Sequence, residues 1–298
     1  MEKINLTFLG TSDSVPTKKR NHSAIYLVYK NESILIDCGE GTQRQFKIAK
    51  LSPTKITSLL ITHWHGDHTL GLPGLFQTLA MLNYSKTLKV YGPKGTKYYI
   101  SLLRKLVNIT IPLDIHEVEN AIFLEKGDFY LETKSMDHST HCNAYSFVIK
   151  DKRRLDKSKL KKLKLPSSPL LRDLQQGKDI IFEGKKIKSS LVSYLEKGKK
   201  ITVILDTRIN QNAISLANNS DILIAESSFS AEEKDRANEF KHLTSEDAAA
   251  IAKKSKSKKL ILTHISQRYE NDLPRIESES KKVFKNTITA KDFDQIEL

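Results

Sequence analysis

The apolar positions of this chain fall in short runs, and several runs end on a residue able to bind a metal or move a proton. SLLIT, Ser58–Thr62, leads into His63, ITVILD ends at Asp206, DILIAE at Glu226 and KLILTH at His264. Runs this short, rich in Leu, Ile and Val, predict strands. Strands without polar alternation are buried on both faces, as in a layered α/β core. Placing His63, Asp206, Glu226 and His264 at strand ends predicts one shared rim, the usual seat of function in such folds. Ile4–Leu9, Ala24–Tyr29, Ser33–Asp37, Leu88–Gly92, Glu117–Leu124 and Phe129–Ser135 read as further strands. LGLPGLFQTLAML and TKYYISLLRKLVN read as helices. Another helix opens at Thr42, after a Gly39–Gly41 turn whose amides offer a phosphate site. One more starts at Thr244, with Asp247 as its capping-box partner.

THWHGDH, Thr62–His68, is the densest chemistry in the chain. It holds His63, His65, Asp67 and His68 in the pattern H-x-H-x-D-H, which suits a divalent ion such as zinc, bound through nitrogen and oxygen. Gly66 permits a sharp turn among these residues. Later strand ends add His138, Asp206 and His264. Seven ligands serve two metals if Asp206 bridges. The assignment is then His63, His65, His138 and Asp206 on one ion, and Asp67, His68, Asp206 and His264 on the other. Two ions about 3.5–4 Å apart hold a hydroxide and stabilise the attacking and leaving oxygens of a phosphodiester. Asp67 is placed to accept the proton of that water. His242, in a loop before the Thr244 cap, is the candidate proton donor, with Glu226 orienting it. His22, His116 and His141 read as surface or supporting residues, and Cys38 and Cys142 as small buried hydrophobes.

The chain has 298 residues, enough for one large α/β domain, 1–298, carrying an insertion. No apolar run spans a membrane, no signal peptide is visible, and two cysteines give no disulfide framework, so the expected location is the cytoplasm. The formal charge of +14 favours a polyanionic partner. Two stretches concentrate it. One is the loop containing Lys18, Lys19 and Arg20. The other is KDKRRLDKSKLKKLK, which includes Lys161 and Lys162 and opens a basic insertion over 150–198.

The sequence around these residues resembles a known family. FLGTSDSVPTKKRN, LIDCGEGTQRQ, LDTR at Asp206, AESSF at Glu226, KHLTSEDAA at His242 and LTHISQRY at His264 are similar, over nearly the full length, to the ribonuclease Z family of the metallo-β-lactamase superfamily. The resemblance implies an αββα sandwich with an inserted tRNA-binding arm. It implies two zinc ions per subunit on the positions assigned above, a proton acceptor at Asp67, and proton donation by His242 and Glu226. It further implies a homodimer, needing no other protein and no membrane, whose 150–198 arm is an exosite for the elbow of precursor tRNA. The reaction would be endonucleolytic cleavage after the discriminator nucleotide, leaving a 3′-hydroxyl on the tRNA. Three departures stand out: LPSSPLLRDLQQGKDI where the family's arm is Gly- and Pro-rich, Ala144–Tyr145–Ser146 where Gly-Tyr-Arg is usual, and Leu243 where Ser is usual.

Two other classes share parts of this pattern. A phosphodiesterase or arylsulfatase of the same superfamily, acting on small molecules, would keep the metal site and have no use for the basic insertion. An RNA-binding protein with structural zinc would have closed metal sites, whereas this ligand set leaves positions open.

Overall fold

The structure is a computed structural model and describes residues 3–298. It is a mixed α/β fold with two seven-stranded sheets. The first runs, edge to edge, through Gln295–Glu297, Ile4–Gly10, Ala24–Tyr29, Glu32–Ile36, Ser58–Leu60, Leu88–Gly92 and Leu113–Glu117. The second runs through Thr287–Thr289, Leu260–Ile265, Ile222–Ser227, Lys200–Ile204, Cys142–Ile149, Phe129–Met136 and Ile122–Lys126. The sheets meet face to face: the Tyr29 and Phe147 rings touch edge-on at 5.4 Å, and Tyr145 donates its hydroxyl to Ile61 O at 2.6 Å.

Each outer face is covered by helices, which explains the fully apolar runs. Helices Thr42–Ile48, Leu72–Met81 and Thr96–Leu106 bury Phe46, Leu75 and Ile100 against Leu35, Leu59 and Val90 of the first sheet. Helices Gln211–Leu216, Ser245–Lys254 and Leu273–Val283 do the same on the second, with Ala248, Ile251 and Ile276 against Leu223, Ala225 and Leu260. Every residue of Ile222–Ser227 and Leu260–Ile265 is buried. No helix among the described residues is long and apolar enough to cross a membrane.

The sequence boundaries hold closely, with one shift. Glu117–Leu124 is not one strand: Leu113–Glu117 ends on its first residue and Ile122–Lys126 begins within it. Between them Asn120 turns the chain with φ 48°, its side chain bonded to Ser135. The polar alternation of LDIHE hid the first of these strands, which is only half-buried.

The chain divides into two compact units. One comprises residues 1–124, 131–147 and 200–298, and contains every residue of the site described below. The other comprises Glu125–Tyr130 and Val148–Lys199. Within this smaller unit Lys152–Leu155 pairs antiparallel with Ser193–Glu196, and Ile180–Phe182 with Lys185–Ile187. Its basic run is a strand followed by the helix Lys157–Lys162, capped by the Asp156 carboxylate on the Ser158 and Lys159 amides. It has its own apolar cluster of Leu160, Leu174, Ile180, Ile187 and Val192. Lys161 and Lys162 lie exposed on that helix.

Candidate metal centre

Four backbone features aim the site. Asp37, Asp206 and His264 all have positive φ, at 57°, 39° and 55°. The left-handed region costs a non-glycine residue about 1–2 kcal/mol, and such strain gathers at functional sites. It turns each strand end so that a polar side chain leaves the sheet. His264 is also the extra residue of a bulge, since Glu226 pairs with Thr263 and Ser227 with Ile265. Bulges re-aim side chains in this way.

The metal loop rests on glycines. Cys38 N–H donates to His68 O, Gly71 N–H to Cys38 O, and Gly39 N–H to Ser23 O. A Cβ on Gly39 would meet Asp67 O at 2.5 Å, and one on Gly71 would meet Gly39 O at 2.0 Å. Gly39 and Gly71 are therefore required by the close backbone approach that seats the metal loop.

The structure brings all seven proposed ligands together. His63, His65, His138 and Asp206 form one group of donor atoms, and Asp67, His68, Asp206 and His264 a second, with Asp206 in both. In the first, His63 Nε2 lies 3.0 Å from His65 Nδ1, which is 3.3 Å from His138 Nε2. Asp206 Oδ2 is 3.5 Å from His63 Nε2 and 3.8 Å from His138 Nε2. In the second, Asp206 Oδ1 is 3.2 Å from His264 Nε2 and 3.4 Å from His68 Nε2, and Asp67 Oδ2 is 3.3 Å from both. Tetrahedral ligation with bonds near 2.05 Å spaces ligands by about 3.3 Å, so both sets match the edges of such a polyhedron. Asp206 Oδ1 is buried with no hydrogen-bond partner, a costly arrangement for a carboxylate that a cation relieves.

Electrostatics point the same way. Burial opposes the Asp206 anion, but His264, His68 and His63 hold the carboxyl well below its ordinary range. Burial and the neighbouring His68 push His63 well down, leaving it neutral as a metal ligand must be. Burial lowers His68 too, yet Asp206, Asp37 and Asp67 raise it well above its usual value.

A second ring of residues fixes the tautomers, and the sequence reading passed over most of it. His68 Nδ1 donates to Asp37 Oδ2 at 2.7 Å. His63 Nδ1 faces Thr62 Oγ1 at 3.1 Å, and that hydroxyl donates to the same Asp37 oxygen at 2.7 Å. His138 Nδ1 donates to Lys241 O, and His264 Nδ1 donates to Ser228 Oγ at 2.8 Å. In each case Nε2 is left for the centre. Asp37 was detectable: it too ends an apolar strand.

Glu226 is fully buried. It accepts from Thr207 N–H at 2.8 Å, from Ser228 Oγ–H at 2.7 Å and from His242 Nδ1–H at 3.0 Å. His242 Nε2 is thereby free. Burial lowers the His242 imidazole, but Glu226 and Asp206 outweigh it and raise it to about 9. His242 belongs to a cleft of about 240 Å³ shared with His65, Asp67, Asp206 and His264.

The other predicted residues divide. Lys18 and Lys19 are exposed. Arg20 is 3% exposed, donating Nη1 to Thr11 Oγ1 and to Ala290 O at 2.7 Å each. It braces the N-terminal loop from inside, which corrects the expectation of a substrate contact at this residue. His22 is buried against Ser14 O, His116 pairs with Asp114, and His141 is exposed. Cys38 and Cys142 are buried thiols, that of Cys38 pushed up to about 12 by burial.

Known proteins share both the fold and the sequence. A family model described as Anti-Pycsar protein Apyc1 matches residues 4–159. Ribonuclease Z of Nanoarchaeum equitans is 39% identical over 291 residues, covering 97% of this chain and 92% of its own. The chain belongs to the ribonuclease Z family. Ribonuclease Z of Exiguobacterium sibiricum is 36% identical over 295 residues, with 97% of each chain covered. The crystal structure of human tRNase Z, short form, superposes with a TM-score of 0.71 at 25% identity, covering 98% of both chains. YhfI of Bacillus subtilis, a metallo-β-lactamase fold protein, gives 0.72 at 19% identity over the whole of both chains, and shows the fold alone. Membership makes the protein a hydrolytic endoribonuclease with the metallo-β-lactamase fold.

Proposed function

We propose that this endoribonuclease removes the 3′ trailer from precursor tRNA by cutting after the discriminator nucleotide, leaving a 3′-hydroxyl on the tRNA. One observation carries the reading: two donor sets joined through Asp206, in a chain 39% identical over nearly its whole length to a ribonuclease Z.

The ions are zinc, two per subunit. Five imidazole nitrogens and two carboxylates match zinc's preference for nitrogen and oxygen donors. Bound divalent ions supply a water acidified towards neutrality and positive charge opposite the phosphate. The protein's own groups do the rest. Asp67, at the edge of the cleft, takes the proton of the attacking water. His242, held at Nδ1 by Glu226, gives its Nε2 proton to the departing O3′ of the discriminator ribose. Lys18 and Lys19, and Lys161 and Lys162 on the smaller unit, contact tRNA phosphates, so binding follows shape and backbone charge more than base identity. The arm over 150–198 is the exosite, and the working form is a cytoplasmic homodimer in which it serves the partner subunit's substrate.

The proton-donor assignment is testable apart from the metals. His242→Ala is expected to lower turnover by about 10²–10⁴-fold with bound zinc unchanged. The parent carries its His242 proton at neutral pH and loses it as pH rises through the raised value, so its pH–rate profile falls on the alkaline side. The variant lacks that limb. Loss of zinc in the variant would mean that His242 is a ligand.

A further inference from the structure

One wall of the catalytic cleft is aromatic and cationic. It is built from Phe229, Phe240, Arg236 and Arg268. Phe229 is buried, and the Arg268 guanidinium lies over its ring at 5.0 Å. Glu233 clamps both cations, accepting from Arg268 at 2.9 Å and from Arg236 at 2.8 Å. The Phe240 ring lies nearly parallel to Phe229, at 7° with centroids 6.4 Å apart, and is 51% exposed. Phe240 ends the helix Lys234–Phe240, Lys241 reverses the chain with φ 55°, and His242 follows. The wall is continuous with His242, whose ring is 6.1 Å from that of Phe229.

We propose that this wall is a base site: Phe240 stacks on the nucleobase immediately 5′ of the scissile phosphate, with Arg268 and Arg236 beside the adjoining backbone. The inference rests on the proposed function, because chemistry sets the direction. A product ending in a 3′-hydroxyl makes O3′ of the 5′ nucleotide the leaving atom. Its proton comes from His242, so that nucleotide's ribose lies at His242 and its base on the Phe240 side. Exposed aromatic faces and guanidinium planes bind unpaired bases by stacking, whichever base is present.

The test uses zinc-loaded protein and a tRNA ending at its discriminator position in 2-aminopurine, whose fluorescence is quenched by stacking. Saturating parent protein should quench it several-fold, Phe240→Trp should keep the quenching, and Phe240→Leu should leave it bright with binding about tenfold weaker. Both variants should melt at the parent's temperature. Full quenching by Phe240→Leu overturns the base site, as does a bright probe with the parent. Cleavage of a 3′-extended tRNA by the same parent preparation separates the two levels. A parent that cuts it but leaves the probe bright overturns the base site alone. A parent that does not cut overturns the proposed function and the base site with it.

Discussion

Asp206→Asn is expected to abolish cleavage of precursor tRNA and of a small phosphodiester such as bis-p-nitrophenyl phosphate alike, and to leave at most one tightly held zinc per chain. The substitution keeps the side chain's shape and removes its charge. Asp206 supplies one oxygen to each donor set, Oδ2 towards His63 and His138, Oδ1 towards His68 and His264. It is buried among imidazoles that hold its carboxyl ionised. A carboxamide has one acceptor oxygen and cannot serve both sets. Metal catalysis contributes several kcal/mol, and each 1.36 kcal/mol is tenfold in rate, so a loss of about a thousandfold or more follows. Zinc per chain by elemental analysis and turnover on both substrates check this. Two retained zincs with normal turnover would break the bridging assignment.

Excising Lys150–Gly198 is expected to separate the two substrates. Cleavage of precursor tRNA should fall by about a hundredfold or more, while turnover of bis-p-nitrophenyl phosphate stays within about twofold. The flanking backbone is already joined, with Ile149 N–H donating to Lys199 O at 2.8 Å, so a short linker closes the gap. The removed unit carries its own apolar cluster and no residue of either donor set. Phosphate contacts account for most sequence-independent affinity and for its salt dependence. The excised protein should therefore also show a shallower fall of kcat/KM with salt. Equal loss on both substrates would place the segment in the core.

Strand ends were legible because a buried parallel strand must be apolar throughout, so a His or Asp at its end stands out, as at Asp206 and His264. Asp37 ends an apolar strand by the same rule, but its hydrogen bonds to Thr62 and His68 join segments that only the fold brings together. Gly39 and Gly71 are demanded by close backbone approach, a constraint between segments distant in sequence that periodicity does not carry. Arg20 failed for a related reason: charge is visible in a sequence, but the direction of a side chain is not. Its guanidinium turns inward to Thr11 and Ala290. The supporting hydroxyls of Thr62 and Ser228 were equally silent, since one Ser or Thr among many carries no signal until the fold sets it against an imidazole.

The most direct test of the central claim is to incubate the purified, zinc-loaded protein with a 3′-extended tRNA, with and without a chelator, and map both product ends. The expected result is one cut after the discriminator nucleotide, a 3′-hydroxyl on the tRNA, a 5′-phosphate on the trailer, and no product once the metal is removed. A cyclic phosphate on the tRNA end, cuts scattered along the trailer, or cleavage undiminished by the chelator would contradict it.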